Sequence, residues 1–167
     1  MVNIAIDGRC ASGKTTVASL LSKIYDCNVF HIDDFFLRPE QRTSERLSQP
    51  GENADHERFE SEILIPLKEG KDVIFRRFDC SVQALEAPIT VKKKRLNIIE
   101  GSYSLHPSLR KYYTLKCFID IDSSLQAERI EARNTPDAAS RFFSTWIPLE
   151  EKYLSALDVR DCAEVIL

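Results

Sequence analysis

Residues 8–15 read Gly8-Arg9-Cys10-Ala11-Ser12-Gly13-Lys14-Thr15, a G-x-x-x-x-G-K-[ST] stretch set between two segments of different periodicity. Before it, residues 2–6 form a short β-rich apolar run. After it, residues 15–25 place Val17, Leu20, Leu21 and Ile24 at helical spacing. A strand that enters a glycine-bounded bend and leaves it as a helix narrowly limits the folds open to the rest of the chain. The glycines allow a turn tight enough for backbone N–H groups to converge, and the helix start adds its positive end. Lys14 is placed to reach β- and γ-phosphates, and the Thr15 hydroxyl to bind Mg2+. The stretch is read as a P-loop for ATP and Mg2+, with Gly8, Arg9, Cys10, Ala11, Ser12, Gly13, Lys14, Thr15 and Thr16 as nucleotide contacts. Within it, Cys10 is either a small filler or a thiol activated by the helix start.

The rest of the chain alternates in the same manner. Strands are expected over 28–32, 73–78, 96–99, 117–121 and 164–167, with a short extra one over 87–91. Helices are expected from an Asp55 cap to Gly70, with Pro66 kinking or ending it, and over 123–134 and 138–157. Residues 35–51, polar and broken by Pro39, Pro50 and Gly51, read as a mobile connection. This order predicts an α/β chain: a three-layer P-loop NTPase fold, a mostly parallel five-stranded sheet flanked by helices, and a short helical lid. It is expected to be a single domain over 1–167, with the acceptor region at about 34–95 and the lid at about 129–146. In such sheets ligands bind beyond the carboxyl ends of the strands. Asp33-Asp34, Phe78-Asp79 and Glu100-Gly101 fall at those ends.

Composition narrows the partners. The net charge of −3 leaves no electrostatic footprint for nucleic acid, and the run Lys92-Lys93-Lys94-Arg95 reads as a solvated turn. The five cysteines are scattered without a CxxC pair, which predicts neither a zinc site nor a disulfide framework and fits a reducing cytoplasm. No apolar run is long enough for a membrane span, and no leader precedes the first strand. A cytoplasmic protein with a small-molecule substrate is expected, as monomer or homo-oligomer. The sequence lacks N-K-x-D and D-x-x-G motifs, which argues against a GTPase switch, and it has no glycine-rich shikimate-type substrate loop. A compact kinase of a small molecule remains.

His31-Ile32-Asp33-Asp34-Phe35-Phe36, Asn53-Ala54-Asp55-His56, Ile99-Glu100-Gly101-Ser102-Tyr103, the arginine-bearing segment 129–141 and Trp146-Ile147-Pro148-Leu149-Glu150-Glu151 follow the P-loop in that order. With this set the chain resembles the uridine kinase and phosphoribulokinase group of P-loop kinases. The resemblance implies that Asp33 is the general base for an acceptor hydroxyl, with Asp34 the competing candidate. An alcohol attacking a γ-phosphoryl must lose a proton, and a carboxylate in reach can orient it and take that proton. It implies that Asp55 holds ribose hydroxyls, although the residue also suits an N-cap. Glu100 is implied as a Walker-B-like acid that holds Mg2+ through water. Arg129 and Arg133, i and i+4 on one helix face, are implied as lid arginines, Arg129 also touching substrate and acting in catalysis with Asp33 and Lys14. Arg141 is a further lid candidate.

The acceptor pocket departs from the family. Uridine kinases carry a tyrosine–aspartate pair and a base-reading histidine after the third strand, where this chain has Phe78-Asp79 and Gln83. Phe35, Phe36 and Phe78 could stack a base, and Gln83 could read its edge. A nucleotide acceptor would instead want Arg38, Arg42 or Arg77. The expected reaction is ATP-dependent phosphorylation of a hydroxyl. A nucleoside is the first candidate; a sugar, vitamin precursor or nucleotide, or a regulatory ATP-binding module, is the alternative.

Overall fold

The computed structural model describes residues 1–167. Its strands are, in chain order, β1 Val2–Gly8, β2 Cys27–His31, β3 Val73–Phe75, β4 Phe78–Asp79, β5 Ala84–Leu85, β6 Ile89–Val91, β7 Leu96–Glu100, β8 Leu115–Ile119 and β9 Val165–Ile166. Five of them form one sheet in the order β2-β7-β1-β8-β9, every pairing parallel. The crossover from β1 to β2 is helix α1, Lys14–Ile24.

Both faces of the sheet are covered, so successive strand residues enter different cores, as the two-residue repeat of a strand requires. Ile6, Ile98, Cys117 and Ile119 pack with Ala18 of α1. Their neighbours Ala5, Ile99 and Phe118 pack on the other face with Phe59, Ile63, Leu64 and Tyr153. Register is pinned at the N-terminal ends of the strands by a buried asparagine ladder. Asn97 Nδ2 donates to Asn3 Oδ1 at 3.0 Å, and Asn28 Nδ2 donates to Asn97 Oδ1 at 3.2 Å. A one-residue slip would break this ladder and turn the apolar residues to the wrong faces. The opposite, carboxyl edge is thereby fixed as well.

Three expectations change. The strand expected over 73–78 does not join the parallel sheet: β3 pairs antiparallel with β6, and β4 pairs with β5 in a second hairpin. The break falls at Arg76, whose carbonyl accepts from Arg58 Nη1 at 2.6 Å and whose N–H donates to Glu62 at 3.1 Å. Both backbone groups are thus diverted from a ladder. The expected mobile connection holds structure, with a 3-10 turn at Pro39–Gln41 and a helix at Ser44–Ser48 capped by Thr43. The helix that Asp55 caps passes Pro66 without ending there, as His56–Phe59, a π turn at Glu60–Leu64, and Ile65–Lys68. The last long helix does the same at Pro148, as Pro136–Arg141, a π turn at Phe142–Trp146, and Ile147–Ala156. A proline clashes with the carbonyl four residues back. In both helices the residue just before the proline bonds five residues back instead, Ile65 to Glu60 and Ile147 to Phe142, and this widening accommodates the ring. No helix is long and apolar enough to cross a membrane.

At the tip of β1 the buried Asp7 accepts from the Gly8 N–H at 2.6 Å, the Leu105 N–H at 2.7 Å and the Tyr153 hydroxyl at 2.8 Å. Burial pushes its carboxyl up to about 6 against those three donors. Asp7→Asn would turn an amide donor toward one of them. The expected outcome is a loss of about 1–3 kcal/mol in urea unfolding; an unchanged midpoint would show that this contact is dispensable.

Candidate active site

The carboxyl edge of the sheet opens into a cavity of about 790 Å3, a size in the range of small-molecule sites. The P-loop forms one wall. Gly8 adopts φ 139°, and a Cβ there would lie 2.0 Å from the Ile119 carbonyl oxygen, so only glycine lets β1 bend away beside β8. Gly13 adopts φ 104° with open space where a Cβ would point, leaving the start of α1 uncovered. Ala11 also has positive φ, 62°. Such reversals let backbone N–H groups converge, as an anion cradle requires. The Ser12 hydroxyl, buried in the loop, has no hydrogen-bond partner in the protein. An orphaned donor beside an uncovered helix start fits a phosphate group.

The remaining walls come from other strand ends. Lys14 is buried, and its Nζ donates to the carbonyls of Gly8 at 2.7 Å and Arg9 at 2.8 Å. Thr15 Oγ1 donates to Glu100 Oε1 at 3.0 Å. That oxygen also lies 2.5 Å from His31 Nδ1, a contact that raises the imidazole above its ordinary pKa. Thr15 and the buried Glu100 are adjacent oxygen donors of the type Mg2+ takes, directly or through water. Asp33 follows β2 in the 3-10 turn Ile32–Asp34 and lies on the cavity wall. Its carboxyl is open to the cavity but enclosed by protein elsewhere. Desolvation pushes it up to about 6, with Lys14 pulling down and Glu100 pushing up. Asp34 turns aside and pairs with Arg77 at 3.2 Å, so only the first of the two aspartates lines the cavity.

The helix Ser123–Arg133 and the last long helix close the top. Arg129 Nη1 donates to the Ala11 carbonyl at 3.0 Å, and the Arg133 guanidinium sits 5.5 Å from the Phe142 ring centre. Phe142 and Trp146 line the same space. Arg141 is exposed and does not line it.

Several expected acceptor residues lie elsewhere. Asp55 is buried, caps its helix by accepting the Arg58 N–H at 3.2 Å, and pairs with the Arg58 guanidinium at 3.3 Å. Its oxygens are committed to the cap and the arginine. Phe78 is buried under Arg42, and Phe35 belongs to the core between Phe59 and Phe75. Gln83 is exposed, with its amide donating to the Cys80 carbonyl inside the β4–β5 turn. Of the acceptor candidates, Asp33, Phe36 and Arg129 line the cavity. Arg9 lies outside it, held by Asp120 and Glu151. The cavity adds Asn53, Ser102, Tyr103 and Glu150, whose only signal in the sequence was membership of an ordered motif.

One further cluster lies behind the wall. Glu52, His56 and His106 bring ligand-type atoms within 4.8 Å of one another. The two imidazoles stack at 4.1 Å with 16° between planes, so their in-plane lone pairs run side by side and do not converge on one ion.

No family model and no curated protein matches this chain. Among solved structures it is similar to a possible uridine kinase from Bacillus stearothermophilus, with 20% identity, TM-score 0.72, and coverage of 99% of this chain and 88% of that one. It is also similar to a fructose transport system kinase candidate from Silicibacter sp. TM1040, with 20% identity, TM-score 0.70, and coverage of 99% and 89%. The fold is that of the P-loop kinases. In this P-loop kinase fold the cavity lies where the strand order reverses around β1, between the tips of β1, β2 and β7.

Burial and the nearby Glu150 push the Cys10 thiol up to about 12, which removes the thiolate that an activated cysteine needs. Iodoacetamide at neutral pH should therefore label the exposed Cys80 well before Cys10, as read by peptide mass spectrometry. Equal labelling of the two would contradict this environment.

Proposed function

We propose that this protein transfers the γ-phosphoryl of ATP to a hydroxyl of a small molecule, with a nucleoside as the first acceptor to test. The observation that carries the reading is that Asp33 and the P-loop share one cavity, with the Lys14 ammonium near enough to pull the Asp33 carboxyl down. ATP with Mg2+, when bound, supplies the transferable phosphoryl; the rest is positioning and charge. The amides at the start of α1 and the free Ser12 hydroxyl hold phosphate oxygens. Lys14 leaves the Gly8 and Arg9 carbonyls to neutralise charge that grows during transfer. Thr15 and Glu100 would hold the Mg2+, directly or through water. Asp33 orients the acceptor hydroxyl and takes its proton, for which a carboxyl near 6 is well poised at neutral pH. Arg129 and Arg133 bring guanidinium groups over the phosphates, while Phe142 and Trp146 exclude water. A reducing cytoplasm suits the five free cysteines.

A second reading of the acceptor has its own support. Asp55, Phe78 and Gln83 stand away from the cavity, and we assign its cations, Lys14, Arg129 and Arg133, to the nucleotide side, since Arg129 bonds the Ala11 carbonyl of the P-loop. The acceptor side offers Asp33, Phe36, Asn53, Ser102 and Tyr103. This set favours an uncharged polyol, such as a sugar or vitamin precursor, over a nucleotide, and it has no dedicated pyrimidine reader.

The test is ADP release across a panel of nucleosides, sugars, cofactor precursors and monophosphates. Lys14→Ala should lower turnover on the responding acceptor by about 10²-fold or more. Asp33→Asn should keep nucleotide binding and lose about 10²–10⁴-fold in turnover. Asp33 must be ionised to accept a proton, so kcat/KM should rise with pH through about 6 and then level, and Asp33→Asn should lose that limb. Near-normal turnover in Lys14→Ala would contradict the assignment, and a panel with no response would favour a regulatory ATP-binding module.

A further inference from the structure

One carboxylate in the cavity has no part in the proposed transfer. Glu150 is 3% exposed and reaches the P-loop from the helix Ile147–Ala156. Its Oε2 accepts the Cys10 N–H at 2.8 Å and its Oε1 lies 3.0 Å from the same nitrogen, while Oε1 also accepts from the Ser102 hydroxyl. An anion already sits on an amide of an anion-binding loop.

The neighbours of Glu150 show that this is a built contact. Glu151 and Asp120 hold the Arg9 guanidinium, and Tyr153 donates to Asp7 at 2.8 Å. One helix therefore touches residues 7, 9 and 10 in turn, and grips the first half of the bend. The second half, from Ser12 onward, is left with an orphaned hydroxyl and an uncovered helix start.

Resting on the kinase reading, we propose that Glu150 is a positioning residue that sets the phosphate register. By occupying the Cys10 amide with negative charge, it removes that amide from the phosphate-binding set. A triphosphate is then confined to the amides beyond Cys10, chiefly those from Gly13 to Thr16, because the Ser12 N–H is turned back to the Arg9 carbonyl, and its terminal group is turned toward Lys14 and Asp33. Without Glu150 the freed Cys10 amide and the lost repulsion would let the tail slide toward the bend, out of line with the acceptor.

The decisive measurement is on the wild-type chain. In 15N–1H spectra titrated with Mg2+ and a non-hydrolysable ATP analogue, the Gly13, Lys14, Thr15 and Thr16 amides should move while Cys10 stays near its ligand-free position. Displacement of Cys10 as large as theirs would overturn the proposal. If none of these amides moves, the kinase reading fails and this inference falls with it. Kinetics add a readout that a merely structural role would not give. Glu150→Ala should keep or lower the KM for ATP while kcat falls roughly tenfold to a hundredfold, the usual effect of a small misplacement. Glu150→Gln, which keeps an acceptor for the Cys10 N–H but loses the charge, should recover part of kcat. Equal loss in both variants, or a rise in KM alone, would count against it; if Glu150→Ala does not fold, the wild-type titration still decides.

Discussion

A loop that binds anions through converging N–H dipoles must be held in shape when no anion is there. Like dipoles repel, and the turn uses positive φ at Gly8, Ala11 and Gly13. In this protein the holding is done from outside the loop. Asp7 ties its entry to Tyr153 and Leu105, Glu150 ties Cys10 to Ser102, and Arg9 is held between Asp120 and Glu151. The distant end of the chain thus braces its beginning. The cost is a buried carboxylate at either end of the grip, and full hydrogen bonding offsets it.

The same sheet edge collects the chemistry. Three of the five parallel strands, β2, β7 and β1, have their register set at the opposite edge by the Asn3, Asn28 and Asn97 ladder, and they end where Asp33, Glu100 and the P-loop must meet. Of the two π turns, the one at Phe142–Trp146 borders the cavity. It lets a single helix cover the cavity with Phe142 and Trp146, pass Pro148, and still place Glu150 and Tyr153 on the bend.

Legibility in the sequence followed how local each cause was. The P-loop is readable because its bend, its donors and its helix start are consecutive residues. The β1–α1 unit and the alternation of strand and helix are readable from periodicity for the same reason. The break of the expected 73–78 strand into two hairpin strands was not, because it falls where Arg58 and Glu62 take the backbone of Arg76. Asp55 could be read as a cap or a sugar ligand, and the deciding partner, Arg58, is only three residues away but had no charge signal that distinguished it from its neighbours. Gln83 and Phe78 occupy the right places in sequence order, yet the β4–β5 hairpin carries one outward and buries the other. Glu150 was hidden because its role exists only across a fold that brings residue 150 to residue 10.

The proposed chemistry requires the bend after β1 to grip a triphosphate so that its end faces the tip of β2. A crystal structure with Mg2+ and a non-hydrolysable ATP analogue tests this requirement without any knowledge of the acceptor. The phosphate tail should lie against the amides from Gly13 to Thr16, with the metal beside Thr15 and Glu100 and the terminal phosphate facing Asp33. A nucleotide bound elsewhere, or a tail turned away from Asp33, would contradict it.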